Sequence, residues 1–339
     1  MEIGWESILG HGENIARLRR MLGEEKLSHA LLFAGPTGVG KGRVARSLAA
    51  ALLCERKGGP CGICPSCAAF LQGTHPDYYE IRPEAKGKAK PIIRIEQIRE
   101  MQGEVARLPI LSKRRVVLME DAEMMNGAAA NSLLKTLEEP VGPVTFLLVT
   151  SARSSLPETI LSRCTPVNFG MLPASWVEKL LMRKGVPEEE AKELALLSDG
   201  SVGKAELLRE NGGMELRLDA VEFLTGLGVM DMDAVWRRGK DTEALGREKI
   251  WEWFLYLRML LRDLLVLRQA GGDELLYSPD LRGKLLELLP EAGEEELFSF
   301  LRLVRDSQKR MGANVNLRLF MEGFIIRCMD IWGKNFCRQ

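Results

Sequence analysis

Four cysteines fall within fourteen residues of this 339-residue chain, and no other feature constrains its fold as strongly. Three of them follow the spacing C-x2-C-x2-C in a stretch rich in glycine and proline, and the fourth ends the helical pattern that precedes it. Four thiolates around one ion make the closed tetrahedral site that is typical of structural zinc. The sequence therefore predicts a zinc module at residues 54–67, with the ligands Cys54, Cys61, Cys64 and Cys67.

Two other states of these cysteines stay open at the level of sequence, a disulfide pair and buried free thiols. No charged-then-apolar leader follows Met1, which favours a reducing, cytoplasmic setting where disulfides are rare. Zinc is the state that we expect.

A glycine-rich loop precedes the same helical pattern. The run from Gly35 to Lys41 matches G-x-x-x-x-G-K and lies between an apolar run, 30–34, and a helical run, 43–54. Backbone N–H groups in such a strand, loop and helix converge on phosphate at the N-terminus of the helix. The short pattern is weak by itself, but its context predicts a site for ATP or ADP. The residues expected to bind the nucleotide are Gly35, Gly38, Gly40 and Lys41.

Two departures from a working ATPase accompany this loop. Gly42 stands where a Ser or Thr hydroxyl would hold magnesium. A second apolar run, 116–119, ends in Glu120 and Asp121, which reverses the order of a magnesium-binding Asp followed by a catalytic Glu. The longer acid crowds the magnesium position and the shorter one falls short of an attacking water. We therefore expect nucleotide binding with little magnesium-assisted turnover.

The distribution of strand and helix patterns changes near residue 170. Before it, short β-type runs alternate with helical patterns, which predicts an α/β fold with a mostly parallel sheet. The runs are 30–34, 78–81, 116–119 and 145–149. After it, the pattern is helical as far as residue 337, and a 3.6-residue apolar stripe between Ile250 and Leu264 is either core or a seam for a partner.

The charges of the chain cancel, with 47 basic and 47 acidic residues. No global field therefore attracts nucleic acid or an anionic membrane, and any DNA contact must be local or made through partners. Charged residues interrupt the longest apolar stretches, so we expect no membrane span and a cytoplasmic protein.

With these motifs, the chain resembles the bacterial clamp-loader family of AAA+ proteins along essentially its whole length. The most specific segments are the cysteine cluster, residues 128–140 (AAANSLLKTLEEP), 161–164 (LSRC) and 314–319 (NVNLRL). The resemblance implies a RecA-like ATPase domain with the zinc module at 1–169, a small helical lid at 170–211 and an all-helical collar at 212–339. It also implies assembly into a five-membered ring.

Within that family the chain is more similar to delta-prime subunits than to the gamma/tau motors. Motors carry Lys-Thr or Lys-Ser in the loop, Asp-Glu after the strand, and an arginine in the lid, where this chain reads Gly200-Ser-Val-Gly203. The resemblance implies a largely non-hydrolysing stator of the DNA polymerase III holoenzyme. An active gamma/tau-type ATPase, or another DNA-remodelling AAA+ enzyme, is the alternative.

The resemblance also assigns roles to two further residues. Arg163 would be an arginine finger, donated in trans to the ATP of a neighbouring subunit. Thr150 would lie beside the nucleotide as a sensor of the γ-phosphate, although a plain strand-end hydroxyl is the other reading. The implied partners are gamma/tau and delta subunits in a hetero-pentamer and, through that complex, the sliding clamp and primer-template DNA.

Overall fold

The computed structural model describes residues 3–85, 87, 90–210, 212–269, 271–272, 275–290, 293–311 and 315–333. These residues form two compact units. The first holds the chain up to Val186 together with Asp199–Lys204, and the second holds Pro187–Ser198 and the residues from Ala205 onward. Asn314, part of one of the family-like segments, and the predicted helical residues 334–337 lie outside the described residues.

The first unit is built on a five-stranded sheet in the order β2-β3-β4-β1-β5. Every pairing between neighbouring strands is parallel, as the alternation of strand and helix patterns predicts. The strands are β1 Ala30–Ala34, β2 Tyr78–Ile81, β3 Arg115–Met119, β4 Val144–Thr150 and β5 Thr165–Asn168.

Both faces of this sheet are covered by helices, because successive side chains of a strand point to opposite faces. In β1, Leu31 and Phe33 join a core with α1, α2 and α3, whereas Ala30 and Leu32 join another with α4, α5 and α6. The helices of the first unit are α1 Gly12–Gly23, α2 Lys41–Leu53, α3 Pro65–Leu71, α4 Ile95–Val105, α5 Gly127–Glu138, α6 Glu158–Leu161 and α7 Ala174–Arg183, of which α1 to α6 contribute to the two cores. The first unit is thus a three-layer α/β/α structure, which confirms the predicted fold class.

Strand β5 is absent from the sequence prediction. It is four residues long, contains Pro166, and lies at the edge of the sheet, where it pairs with β1. Proline has no N–H to donate to a ladder and is tolerated on edge strands, so neither length nor composition marks this segment as a strand.

The second unit is helical, as predicted. Its helices are α8 Glu188–Leu197, the larger part of α9 Val202–Glu210, α10 Gly213–Gly226, α11 Met232–Arg268, α12 Arg282–Leu288, α13 Glu294–Arg310 and α14 Leu317–Gly333. Helix α11 is interrupted at Gly246, whose φ of 80° is not helical.

The apolar stripe of α11 is core rather than an exposed seam. Its seven members are all buried, and Trp253 and Phe254 pack against Phe324 of α14. The members are Ile250, Trp253, Phe254, Leu257, Leu260, Leu261 and Leu264. The described part of the chain holds no helix that is both long and apolar enough to cross a membrane.

A buried carboxylate holds the loop that leads into β3. Asp77 accepts hydrogen bonds from the backbone N–H groups of Ile110, Leu111 and Ser112, each at 2.7 Å. Burial acts to raise the pKa of Asp77, but these three donors and Arg115 outweigh it and hold the pKa below its ordinary value. The charged form of Asp77 therefore stabilises the folded chain.

We predict that Asp77→Asn lowers the free energy of unfolding by about 2 kcal/mol at neutral pH, the scale of hydrogen bonds to a charged group. A carboxyl whose pKa is depressed by folding stabilises above its unfolded pKa, about 3.9, and loses that contribution as the pH falls through the folded value. Urea unfolding should therefore show the gap between wild type and variant closing in acid. A gap that is constant with pH would contradict this account; Asp241→Asn, at an exposed position of α11, is the control.

Candidate functional site

The glycine-rich loop lies where a phosphate site is expected in a parallel sheet, beyond the carboxyl end of β1 and at the N-terminus of α2. Gly38 and Gly40 have φ values of 75° and 99°, in the left-handed region that favours glycine. Gly35 donates its N–H to the carbonyl of Thr150, so the end of β4 borders the loop. The structure thus brings together the predicted loop residues and Thr150.

Lys41 is folded back onto this loop. Its Nζ donates to the carbonyl oxygens of Gly35, at 2.8 Å, and Pro36, at 2.6 Å, and the side chain is buried. Burial lowers the pKa of Lys41, and the nearby carboxylates of Glu123 and Asp121 partly restore it. A phosphate that entered the loop would compete with these two carbonyls for the ammonium group.

The first turn of α9 packs directly against the loop. The hydroxyl of Ser201 donates to the carbonyl of Thr37 and the N–H of Gly203 donates to the carbonyl of Gly38, both at 2.9 Å. A Cβ atom on Gly203 would lie 2.9 Å from the Cα of Gly38, closer than such atoms approach. The lid segment therefore has no room at this position for an arginine or any other side chain.

A cluster of two acids and two arginines lies beside the loop. Arg46 donates to both Glu80, at 3.1 Å, and Glu120, at 2.5 Å. Arg82 approaches the same two carboxylates at 2.6 Å and 3.3 Å. Burial raises the pKa of Glu120, an effect that the two arginines only partly oppose.

Gly42 faces this cluster. A Cβ atom on Gly42 would lie 2.7 Å from Oε1 of Glu120. The predicted magnesium-binding acid is therefore held by arginines, and its carboxylate lies against the position where a side chain on residue 42 would begin. These residues do not fit a magnesium site, because magnesium needs open oxygen ligands at about 2.1 Å.

The remaining acids of the site have different surroundings. Asp121 has a φ of 47°, uncommon outside glycine, and its pKa is raised by burial and by the neighbouring Glu123. Glu123 accepts hydrogen bonds from both the N–H and the hydroxyl of Ser151, at 2.9 and 2.5 Å. These bonds, opposed by burial, lower the pKa of Glu123.

Sequence reasoning did not assign Arg46, Arg82, Glu123 or Ser201 to the site. The signal available for Arg46 was a basic residue on the otherwise apolar inner part of α2, where a buried charge needs a partner. Glu123 follows the acidic pair at the end of β3 and Ser201 lies in the Gly200–Gly203 segment, but no local pattern specifies what these residues or Arg82 contact.

The sulfur atoms of the four clustered cysteines lie close together in the structure. Their sulfur atoms all lie within 4.8 Å of one another, a set that could hold a metal ion. The distances from Cys54 to Cys64 and from Cys61 to Cys67 are 3.9 and 4.0 Å, close to the edge of about 3.8 Å expected for four sulfurs around zinc. The chemistry and spacing of these donors fit a closed structural site.

This cluster is separate from the phosphate loop. Cys54 directly follows the last residue of α2 and Lys41 is its first, so the length of the helix, about 20 Å, lies between them. A metal held here would brace the end of α2 and the start of α3 rather than contact a nucleotide.

Arg163 lies at the end of the sheet where the strands begin, whereas the loop lies at the end where they finish. It precedes β5, whose Thr165 pairs with Leu31, whereas the loop follows the other end of β1. At about 3.3 Å per residue, Thr165 is already roughly 13 Å from Gly35 along the strands, and Arg163 lies before it. Its guanidinium binds the carboxylate of Glu138 and the carbonyl of Thr159.

Comparison with known proteins finds relatives that are subunits of DNA polymerase III. A family model described as DNA polymerase III, delta subunit, matches residues 10–173. DNA polymerase III subunit delta' of Pseudomonas aeruginosa is 33% identical over 319 residues, 92% of this chain and 94% of that protein. The subunit of the same name from Bacillus subtilis is 26% identical over 341 residues, 97% of this chain and 100% of that protein.

A relative named tau/gamma matches over a shorter region. DNA polymerase III subunit tau/gamma of Haemophilus influenzae is 34% identical over 203 residues, 58% of this chain and 29% of that protein. The chain is therefore similar to these two delta' proteins over nearly its full length. DNA polymerase III subunit tau of Bacillus subtilis is also similar over most of the chain, 25% identical over 356 residues, 95% of this chain and 61% of that protein.

Proposed function

This chain belongs to the DNA polymerase III delta' family of clamp-loader subunits, and we propose that it is a stator that completes the loader ring without hydrolysing ATP itself. The observation that carries the proposal is the state of its own nucleotide site. Glu120 is bound by arginines and lies against the position where a side chain on residue 42 would begin. Without these two magnesium ligands, phosphoryl transfer loses the ion that neutralises its developing charge.

In this proposal the loop keeps the ability to hold a nucleotide. Gly35, Gly38, Gly40 and Lys41 retain the backbone shape of a phosphate cradle, and ATP or ADP would bind there by displacing Lys41 from its two carbonyls. Thr150 would lie beside the phosphates without a catalytic partner. The nucleotide would act as a structural ligand.

The catalytic contribution of the chain would come from Arg163. Its place at the amino edge of the sheet puts it out of reach of the chain's own loop, but leaves it half-exposed to a neighbouring subunit. A guanidinium is permanently charged and stabilises the charge that develops on a transferring phosphoryl group. In the assembled ring the guanidinium of Arg163 would leave Glu138 and bind the γ-phosphate of the ATP held by the neighbouring subunit.

The partners proposed are tau/gamma and delta subunits in a hetero-pentamer, acting on the sliding clamp and primer-template DNA in the cytoplasm. The chain would contribute an ATPase-like domain at 1–169, a lid at 170–211 and a collar at 212–339 for ring assembly. An active gamma/tau-type motor is the second candidate, favoured by the retained Lys41 and by the tau/gamma similarity over 203 residues.

We further propose that the cysteine cluster holds zinc. Four sulfurs from one short segment, near-tetrahedral spacing and N–H donors from Arg56 and Cys67 to two of the sulfurs all suit zinc thiolates. The ion would fix the module that follows α2.

We expect one zinc ion per purified chain by elemental analysis, and its loss in Cys64→Ser together with a lower unfolding temperature, because a closed site cannot lose a ligand without opening. Cys164→Ser is the matched control: this cysteine is also buried but lies outside the cluster, so the variant should keep the metal. Zinc retained by Cys64→Ser, or absent from wild type grown with zinc, would refute the assignment.

For the finger, we predict that Arg163→Ala slows hydrolysis at the neighbouring motor site by about a thousandfold or more, the usual worth of such a group. The measurement is ATP turnover by complexes reconstituted with tau/gamma and delta subunits, with assembly checked by gel filtration. Arg153→Ala, at an exposed arginine between β4 and α6, is the control. Turnover at that site unaffected by Arg163→Ala in an intact complex would exclude the finger role.

A further inference from the structure

The side chain of Glu120 occupies space that a side chain on residue 42 would need. The two residues are far apart in sequence, yet a Cβ atom on Gly42 would come within 2.7 Å of Oε1 of Glu120. A magnesium ion shared by a loop hydroxyl and a strand-end acid lies about 2.1 Å from each oxygen, which keeps neighbouring ligand oxygens about 3 Å apart. Here the carboxylate of Glu120 already lies too close for a side chain on residue 42 to begin.

Glu120 is not free to swing away from that position. Its Oε1 accepts the 2.5 Å bond from Arg46, its Oε2 lies 3.3 Å from Arg82, and its side chain is only 19% exposed. If Glu120 moved, Glu80 would be the only carboxylate of the cluster still paired with the half-buried guanidinium of Arg46. Leaving a partly buried charge poorly paired costs free energy. A clash with this carboxylate therefore carries the cost of breaking an ion pair.

The charge of the cluster is also complete without a metal. Two carboxylates, Glu80 and Glu120, face two guanidinium groups, Arg46 and Arg82, and each acid contacts both arginines. A divalent cation is held by acids with unsatisfied negative charge. Added beside two arginines, it would meet repulsion instead.

We infer that the phosphate loop of this chain excludes divalent cations, with Arg46 neutralising the acid that would otherwise bind one. The ligand suited to it is a nucleoside diphosphate or triphosphate without metal. This inference rests on the proposed nucleotide-binding function for its ligand, whereas the exclusion of metal rests on Gly42, Glu120 and Arg46.

The first test is a double-mutant cycle on the unfolding temperature, which needs no nucleotide. Gly→Ala within a helix normally stabilises, and Gly103→Ala in α4, where a Cβ meets open space, should raise the midpoint. Gly42→Ala should lower it in the wild-type background, and should raise it once Glu120→Ala has removed the carboxylate. If Glu120→Ala fails to fold, Glu120→Asp, which shortens the acid, should reduce the penalty. A Gly42→Ala variant as stabilised as Gly103→Ala, with Glu120 intact, would overturn the inference.

The second test is calorimetric titration of the full chain with ADP, in magnesium and in EDTA. We expect dissociation constants within about twofold of each other, whereas magnesium tightening of about tenfold, or 1.4 kcal/mol, would overturn the exclusion of metal. Loss of binding in Lys41→Ala would confirm that the loop is the site. No ADP binding in either buffer would overturn the proposed nucleotide ligand, and the mutant cycle would then decide the exclusion of metal separately.

Discussion

All five strands of the sheet run parallel, and this constraint sorts the predicted site residues of the chain into two groups. Residues that follow strands meet at the carboxyl edge: the phosphate loop after β1, Glu120 and Asp121 after β3, and Thr150 at the end of β4. Residues that precede strands meet at the other edge, where Arg163 binds Glu138. The topology of the sheet therefore holds Arg163 away from the chain's own phosphate loop, as the proposed trans role requires.

Other parts of the fold depend on the shape of the phosphate loop. The carbonyl groups of Thr37 and Gly38 bind Ser201 and Gly203, and Lys41 closes the loop through Gly35 and Pro36. The same helix, α2, carries the cysteine cluster at its far end. Loss of the loop would thus disturb the packing of the first turn of α9 and of the sheet.

Local patterns predicted the elements that have strong local chemistry. Cysteine spacing indicated a four-sulfur cluster, the glycine-rich run indicated the loop between β1 and α2, and apolar runs indicated four of the five strands. The short, proline-containing edge strand β5 has no such signal. Helical periodicity located the α11 stripe but left core and seam open, because periodicity reports which face is apolar and not what covers it.

Contacts between distant residues could not be predicted in this way. In the sequence, the missing hydroxyl at Gly42 and the longer acid at Glu120 are two separate departures. In the structure they are linked, because the carboxylate of Glu120 lies where a side chain on residue 42 would begin. The partners of Glu120 on α2 and after β2, and the pairing of Arg163 with Glu138, depend on the packing of whole elements against the sheet.

The most direct test of the central claim is steady-state ATP hydrolysis by the isolated full-length chain in magnesium, compared with Lys41→Ala. The account predicts that wild type and variant are equally inert, because the site has no magnesium ligands in place. Motor-like turnover by the wild type that Lys41→Ala abolishes would contradict it, and would make this chain an active ATPase with an unusual metal site.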